Sequence, residues 1–487
     1  GISLAQLRQN GFLQLLKKAN ADRAQKIVID YSSPNIAKRF HVGNMRSTLL
    51  GRYTAKLNSS IGHDVHSINY LGDWGRQMAI IIAYWPYVRP SDTNWNSIGD
   101  GEKVRLLTDC YVAGNRALES DGKLKEDVRN MHTRMEQIKK EDGADNEEMK
   151  QWREIVQISI NHLNHFYSLF DCQFNSWMYE TDEVRRAQSL VDDLLRKGVA
   201  VTDEEGITIK DGEKFHRLGK SDGASLYLTR DIASLLHRNA LHKADQYIYV
   251  VDKSQSGHFA ALKRVMELMG HEDLAAKINH LVYGRVKGMS TRKGRTEVVD
   301  EIMESGKELA AEWIEKSPTK KELSPREREE TVSKLACASL IVTELRKARK
   351  REYEFSWQQT FDPKAGNNGI FLLEKYNRLC TLEEMNPELM EGVNEYPILE
   401  EPSAIPLISS LLSLHSAALT SSQTMESNVL MNALLTVAAE TGKGGATLRV
   451  KGSEEDVAKS RLALLHLAKR TMGETMGILG IPLVTKM

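Results

Sequence analysis

No surplus of either charge is present in the 487 residues: lysine and arginine together number 66, and so do aspartate and glutamate. A protein-wide basic field for nucleic acid is thereby excluded, although a local basic face on a neutral protein still binds RNA. Cysteine is scarce. Cys110, Cys172, Cys337 and Cys380 are widely spaced and form no C-x-x-C pair, which argues against disulfides and a structural zinc site and fits a reducing compartment. Long hydrophobic runs are missing too, since charges break each one before the ~20 residues that a membrane span needs. No membrane association and no protein-held metal site are expected. The chain begins at Gly1 without an initiator methionine, an apolar secretion segment or a clear transit peptide, which suggests a processed or trimmed form. What is there, 27% charged and 41% hydrophobic residues, is the composition of a soluble globular protein long enough for about two to four domains.

The chain is organised around the stretch from Ile27 to Asn44. Ile27-Val28-Ile29-Asp30 is a β-branched run that marks a buried strand. Ser32-Ser33-Pro34-Asn35 breaks it, because Pro34 removes a backbone donor and pushes Ser33 away from the helical region. His41 and Gly43 follow, and a helical pattern begins near Met45. A strand, a polar loop and a helix start form an anion site, since the first helical N–H groups are unpaired. His41 and Asn44 can both face a phosphate over that helix end, with Lys38 and Arg39 adding positive charge. A nucleoside triphosphate is the expected ligand.

Phe40-His41-Val42-Gly43-Asn44 resembles the H-I-G-H element of class I aminoacyl-tRNA synthetases, with Asn44 in place of the usual second histidine. The longer S-S-P-N-I-A-K-x-F-H-V-G, from Ser32 to Gly43, is similar to the arginyl-tRNA synthetases in particular. Four letters alone are a weak match, whereas the whole string in register within a strand–loop–helix pattern is a strong one. The resemblance covers about residues 27 to 487. It implies activation of L-arginine with ATP and Mg2+, transfer to tRNA(Arg), and an activation step that itself requires bound tRNA. It also implies an N-terminal domain ahead of the catalytic core. Only residues 1–26 precede the first strand, with Ile2 to Ala19 reading as one helix, so that domain is expected to be absent or mostly missing.

Met45 to Ile61 reads as a helix closed by Gly62, and Val65 to Tyr70 as the next strand. In Leu71-Gly-Asp-Trp-Gly-Arg-Gln77 two glycines permit a tight turn. Taken alone this is a strand-to-helix turn, but N-Y-L-G-D-W-G-x-Q is a second arginyl-synthetase match and implies an active-site wall. Glu102 to Phe170 is long, helical and charged, a solvated insertion that the resemblance identifies as the connective insertion, about 102–180. Strands follow at Val199 to Val201, Gly206 to Ile209, Gln246 to Val251 and Leu281 to Tyr283, with a helix from Phe259 to Met269. Strands alternating with helices predict an α/β fold, a doubly wound parallel sheet of Rossmann type spanning 27–317, with ligand at the carboxyl ends of the strands. Pro318 to Glu330 reads as a charged linker. Residues 331–487 are helical in pattern, with Leu407 to Leu419, Val429 to Ala439 and Val457 to Leu479 clearest and a glycine-rich interruption at Thr441 to Gly445. The resemblance makes this an all-α anticodon-binding bundle. Glu344-Leu-Arg-Lys-Ala-Arg-Lys-Arg351 reads as a basic helix segment within it.

The resemblance also assigns roles. His41, Gly43 and Asn44 would contact phosphates and ribose. Gly288-Met289-Ser290-Thr291-Arg292 aligns with the K-M-S-K-S element, with Lys287, Met289, Ser290 and Arg292 toward the nucleotide and Lys38 supplying the cation that Thr291 lacks. Toward the arginine side chain it places Asp30, Tyr227, Asp231 and Gln255, and toward the α-amino or carboxylate end Asn35. Acidic, planar, bidentate recognition is what a guanidinium requires, and Tyr227 and Asp231 share one face of a helical turn. His258 is placed near the nucleotide. A monomer is expected, in the mitochondrial matrix, with the cytoplasm as the other compartment. One alternative is a paralogue that binds tRNA or nucleotide without charging, motivated by Asn44 and the short N-terminus.

Overall fold

The computed structural model describes residues 1–141, 146–220, 225–287, 290–291, 294–295, 298–316, 323–398 and 401–486. Ile27, Val28 and Ile29 are all buried, so strand β1 (Lys26–Asp30) is covered on both faces. That is why its sequence is apolar without alternation. With β2 (Asp64–Leu71), β3 (Ser176–Tyr179), β4 (Gln246–Asp252) and β5 (Ile278–Tyr283) it forms one sheet, in the order β3-β2-β1-β4-β5. β1 pairs in parallel with β4, Ile27 opposite Gln246 and Asp30 opposite Tyr249, and β2 pairs in parallel with β3. The chain winds outward from β1 in one direction and from β4 in the other. Ligands of such doubly wound sheets bind beyond the carboxyl ends of the strands, where the order reverses.

The chain falls into two compact units, one of Lys26–Asn44 and His66–Leu281, the other of Gly1–Gln25, Met45–Val65 and Val282–Met487. Helix α1 (Val42–Ile61) starts in the first and continues in the second. In the first unit, α2 (Arg76–Val88), α3 (Asp100–Ser120), α4 (Gly122–Glu141) and α5 (Glu147–Leu169) stand between β2 and β3. The long helical run thus ends at Leu169, and the chain is back in the sheet by Ser176, short of the expected boundary near 180. After β3 come α6 (Glu180–Arg196), an antiparallel meander that begins at Val201 rather than Val199, α7 (Tyr227–His242) and α8 (Ser256–Leu268). Val28, Ile68, Ile232, Leu235, Tyr247 and Leu262 pack together as one core between sheet and helices.

The second unit is helical: α9 (Pro325–Leu345), α10 (Gly369–Glu384), α11 (Ile405–Thr424), α12 (Ser427–Thr447) and α13 (Glu455–Leu479). Its N-terminal segment is two helices, Leu4–Asn10 and Phe12–Ala19, because Gly11 at φ 79° breaks the expected single one. Glu474 of α13 caps the second of them, accepting the N–H groups of Phe12 (2.9 Å) and Leu13 (3.2 Å). Three local readings are corrected here. The charged stretch before 330 is helical from Pro325, with Ser324 and Glu327 forming a capping box. The glycines of 441–445 lie inside α12; a Cβ on Gly442 would come within 3.1 Å of the Lys375 side chain, so that glycine admits a close neighbour. The basic segment leaves the helix after Leu345, and Arg349 turns inward to donate to the carbonyls of Val282 (2.6 Å) and Met425 (3.1 Å). Buried carbonyls need donors, and here a cation supplies them. All four cysteines are buried thiols outside any disulfide. Among the described residues no helix is long and apolar enough to cross a membrane.

Candidate active site

Ser32, Ser33 and Ala37 have φ of 65°, 41° and 54°, a left-handed conformation in three non-glycine residues of the loop after β1. Such strain persists only where the surroundings over-determine it. Ser33 Oγ donates to Asp30 Oδ1 (2.5 Å), and the Ser33 N–H donates to Asn69 Oδ1 (3.1 Å). Ser32 Oγ pairs with the Tyr167 hydroxyl (2.8 Å), and the Ala37 N–H donates to Ser159 Oγ (3.0 Å). The exposed Asn35 is fixed by its backbone bridge to Gly72, where a Cβ would sit 2.1 Å from Asn35 Oδ1. Only glycine fits there.

At the end of this loop His41 Nδ1 accepts from the N–H groups of Gly43 (3.0 Å) and Asn44 (3.4 Å), while Asn44 Oδ1 accepts from the His41 N–H (3.2 Å). The two form a reciprocal cap on α1, with imidazole where a capping box usually has a hydroxyl. An acceptor at Nδ1 places the proton of the neutral ring on Nε2, a donor suited to a phosphate. Lys38 is half-buried with Nζ 5.5 Å from the centroid of the Tyr111 ring, and burial pulls its pKa below the usual lysine value.

Tyr227 opens α7 and Asp231 stands one turn on, as their spacing predicts. Gly75, at φ 99°, brings the G-D-W-G turn against Tyr227: its Cβ would be 3.7 Å from the phenol oxygen. Asp231 Oδ2 lies 2.6 Å from Nε2 of His258 in the first turn of α8, and that hydrogen bond holds the His258 pKa above its ordinary value. Gln255 is exposed in the 3-10 turn just ahead. The structure thus brings Tyr227, Asp231 and His258 together beside Gly75. Asp30 differs from expectation. Its Oδ2 takes Nη1 of Arg238 at 2.7 Å, and that guanidinium lies over the rings of Tyr70 (5.1 Å) and Tyr249 (5.5 Å). Both oxygens of Asp30 are therefore committed to internal donors rather than open to a ligand.

Sequence reasoning missed the acids around Tyr227. Glu180, the residue after β3, pairs with Arg230 Nε (2.8 Å); the Arg230 guanidinium faces Glu136 (3.8 Å) and lies over the Tyr227 ring (5.0 Å). Trp74 Nε1 donates to Glu136 (2.6 Å). Burial pushes the Glu180 carboxyl up to about 8 against the opposing pull of Arg230. Asp73 is buried and raised to about 6, although the Thr181 hydroxyl (2.7 Å) and N–H (3.0 Å) both donate to it. The available signal for Glu180 is its place at the carboxyl end of a sheet strand, hidden because the short strand Ser176–Tyr179 follows directly on a long charged helical run.

In the other unit, Val286–Lys287 pairs in parallel with Tyr353–Glu354, and Lys287 Nζ lies 2.5 Å from Glu352. Ser290 opposes Arg295 in a short antiparallel pair. Met289 and Arg292 lie outside the described residues.

Residues 7–357 match the family described as tRNA synthetases class I (R), catalytic domain, and residues 372–487 match the DALR anticodon binding domain. Sheet order, cap and domain pairing define a class I aminoacyl-tRNA synthetase. A protein of Mus musculus named a probable mitochondrial arginine–tRNA ligase is 30% identical over 474 residues, 95% of this chain and 78% of its own. A Schizosaccharomyces pombe protein named a probable cytoplasmic arginine–tRNA ligase is 31% identical over 489 residues, 94% of this chain and 77% of its own. The solved Thermus thermophilus arginyl-tRNA synthetase shares the fold, with TM-score 0.77 at 19% identity over 98% of this chain and 86% of that one. The chain belongs to the arginyl-tRNA synthetases, enzymes that charge tRNA with arginine.

Proposed function

We propose that Tyr227 and Asp231 receive the guanidinium of L-arginine, with Glu180 holding Arg230 behind them, Gln255 beside them and Asn35 toward the α-amino and carboxylate end. The observation that carries this reading is Arg230, a guanidinium already held by Glu180 across the face of Tyr227. A ring face and paired carboxylates are what a planar cation selects. Asp30, committed to Arg238, acts as a positioning residue for the strained loop. His41, Gly43 and Asn44 meet the nucleotide of ATP, and Lys38, Lys287, Met289, Ser290 and Arg292 are proposed for its phosphates. The arginine carboxylate attacks the α-phosphorus, pyrophosphate leaves, and the terminal ribose of tRNA(Arg) then attacks the adenylate and releases AMP. No covalent nucleophile is required; positioning and charge stabilisation carry the reaction. Among the described residues no group of three or more His, Cys, Asp or Glu is placed to hold a metal. Mg2+ is proposed on the phosphates of the nucleotide. His258 is reassigned from the nucleotide to the amino-acid pocket on the strength of its bond to Asp231.

In the helical unit, Lys375, Arg378, Arg449 and Lys451 rim a cavity of about 480 Å3 floored by Leu379 and Leu382. Cations over an apolar floor suit an unstacked base and its phosphate, and this region is the proposed anticodon side. The reading places a monomer in the mitochondrial matrix, supported by relatives whose names carry that compartment; relatives named cytoplasmic match at similar identity. Nothing observed favours a non-charging paralogue.

Charging of an arginine-anticodon transcript, with all twenty labelled amino acids supplied separately, tests the assignment. Arginine alone is expected to be attached, and Asp231→Ala should raise its KM on the order of a hundredfold, as loss of a charged hydrogen bond of ~3 kcal/mol implies. Unaltered arginine dependence in that variant would sink the pocket assignment.

A further inference from the structure

Arg46 stands in the first turns of α1, two residues after Asn44, and its side chain is 1% exposed. Residues two apart on a helix do not face each other, so while Asn44 caps the helix start, Arg46 reaches into the interior of the helical unit. Its Nε lies 2.7 Å from Glu344 of α9, a carboxylate buried as deeply as itself. Its Nη1 donates to the carbonyl of Gly284 (2.8 Å), and its Nη2 to those of Arg349 (3.1 Å) and Arg351 (3.5 Å). The rings of Tyr283 and Tyr353 lie 5.8 and 5.2 Å from the guanidinium, and the Tyr353 hydroxyl donates to Glu344 (2.8 Å). One guanidinium thus joins α1, α9 and the chain segments around 284 and 350.

Those two segments run together. The Gly284 N–H donates to the Arg349 carbonyl (2.9 Å), the Tyr353 N–H to that of Arg285 (3.3 Å) and the Phe355 N–H to that of Lys287 (3.0 Å). A Cβ on Gly284 would come within 2.8 Å of the Lys350 carbonyl oxygen, so glycine is what lets them close. At the end of this ladder Lys287 is held by Glu352 (2.5 Å), and three residues on comes Ser290, opposite Arg295. The stretch that carries the second nucleotide element therefore grows from a base that Arg46 holds to α1.

A buried ion pair is weak evidence for stability, because apolar residues of similar volume often serve as well; its best-attested use is fixing one arrangement against others. On the proposed reading, His41 and Asn44 meet the nucleotide while Lys287 and Ser290 meet its phosphates. In-line attack on the α-phosphorus needs both sets of contacts at once. We infer that Arg46 is a positioning residue for arginine activation, its guanidinium fixing the base of the stretch from Val286 to Arg295 to the helix that His41 and Asn44 cap. Once pyrophosphate has left, only the first set of contacts remains in use, so Arg46 serves activation and not the transfer of arginine to tRNA.

The test compares the two steps in the full chain. Activation is read as ATP–pyrophosphate exchange with arginine and tRNA present. Transfer is read in reverse, without pyrophosphate, as AMP-driven deacylation of arginyl-tRNA: a phosphate oxygen of AMP attacks the ester carbonyl and the terminal ribose hydroxyl leaves. Arg46→Lys keeps a charge for Glu344 but lacks the planar fork that spans the carbonyls. It should lower kcat of exchange about a hundredfold, the cost of displacing reacting groups by ~1 Å, and leave both the ATP KM and the deacylation rate unchanged. Tyr353→Phe, which deletes only the bond to Glu344, should lower exchange about fivefold, as loss of one hydrogen bond implies, and again spare deacylation. A merely structural Arg46 would lower the melting temperature and slow both steps together. Equal slowing of both steps, or slowing of neither, overturns the inference and leaves the enzyme assignment intact. Should Arg46→Lys fail to fold, Tyr353→Phe decides by the same ratio of rates. A wild-type chain that neither exchanges nor deacylates overturns the enzyme assignment itself.

Discussion

Arg238 bridges to Asp30 at 2.7 Å with its side chain 1% exposed, so the acid that ends the central strand is satisfied from inside the protein. Removing one member of such a pair leaves the other buried and uncompensated, which costs about 3–5 kcal/mol. Arg238→Met and Asp30→Ala should each lower stability by that order in denaturant titrations. The double variant should recover much of the loss, since two apolar groups replace two charges. An Asp30→Ala chain that keeps its stability and loses only arginine affinity would return Asp30 to the substrate side.

On the proposed pocket, the bond between His258 and Asp231 should make arginine binding pH-dependent. Bonding to Asp231 raises the His258 pKa, so the imidazolium shares Asp231 with any incoming guanidinium until pH exceeds that raised value. Arginine KM is therefore expected to fall as pH rises from the ordinary histidine value of ~6.5 upward. Stability runs the other way. The pair's contribution is full below ~6.5 and is lost as pH rises through the higher folded value. In His258→Gln the KM step should vanish, read from kcat/KM of pyrophosphate exchange in the presence of tRNA. A step of equal size in both proteins would remove His258 from the pocket.

The cap that Asn44 makes and its proposed contact with the nucleotide can be separated. As a cap its loss in Asn44→Ala should cost ~1 kcal/mol. As a donor to charge developing on the nucleotide its loss should lower kcat by ~100-fold. Thermal melts and single-turnover exchange rates, taken on the same preparations, divide the two. A lowered melting point with an intact rate would leave Asn44 a cap and no more.

What the sequence discloses and what it hides follows from how far away each partner lies. The loop from Ser32 to Asn44 is legible because proline, serine and the helix start act over a few residues, and Tyr227 with Asp231 because one helical turn joins them. Arg238 and Glu180 are not, since their partners arrive from other strands and helices and nothing near them in the chain marks the pairing. Gly442 misleads because glycine signals a break and a close packing contact alike. Arg349 misleads because a basic run reads as solvent-facing, whereas unsatisfied carbonyls draw this one inward.

Glu474 holds the N–H groups of Phe12 and Leu13 across a separation of 462 and 461 residues. Ribosomes add ~5–20 residues per second, so the helix Phe12–Ala19 waits roughly half a minute to a minute and a half for its cap. Lys26–Asn44 and His66–Leu281, by contrast, are all present well before the last helix is made. The sheet unit can therefore close first, and the amino-terminal helices are among the last parts to settle. Until then their apolar residues Leu7, Phe12, Leu15 and Leu16, all buried in the finished protein, have no final packing partner.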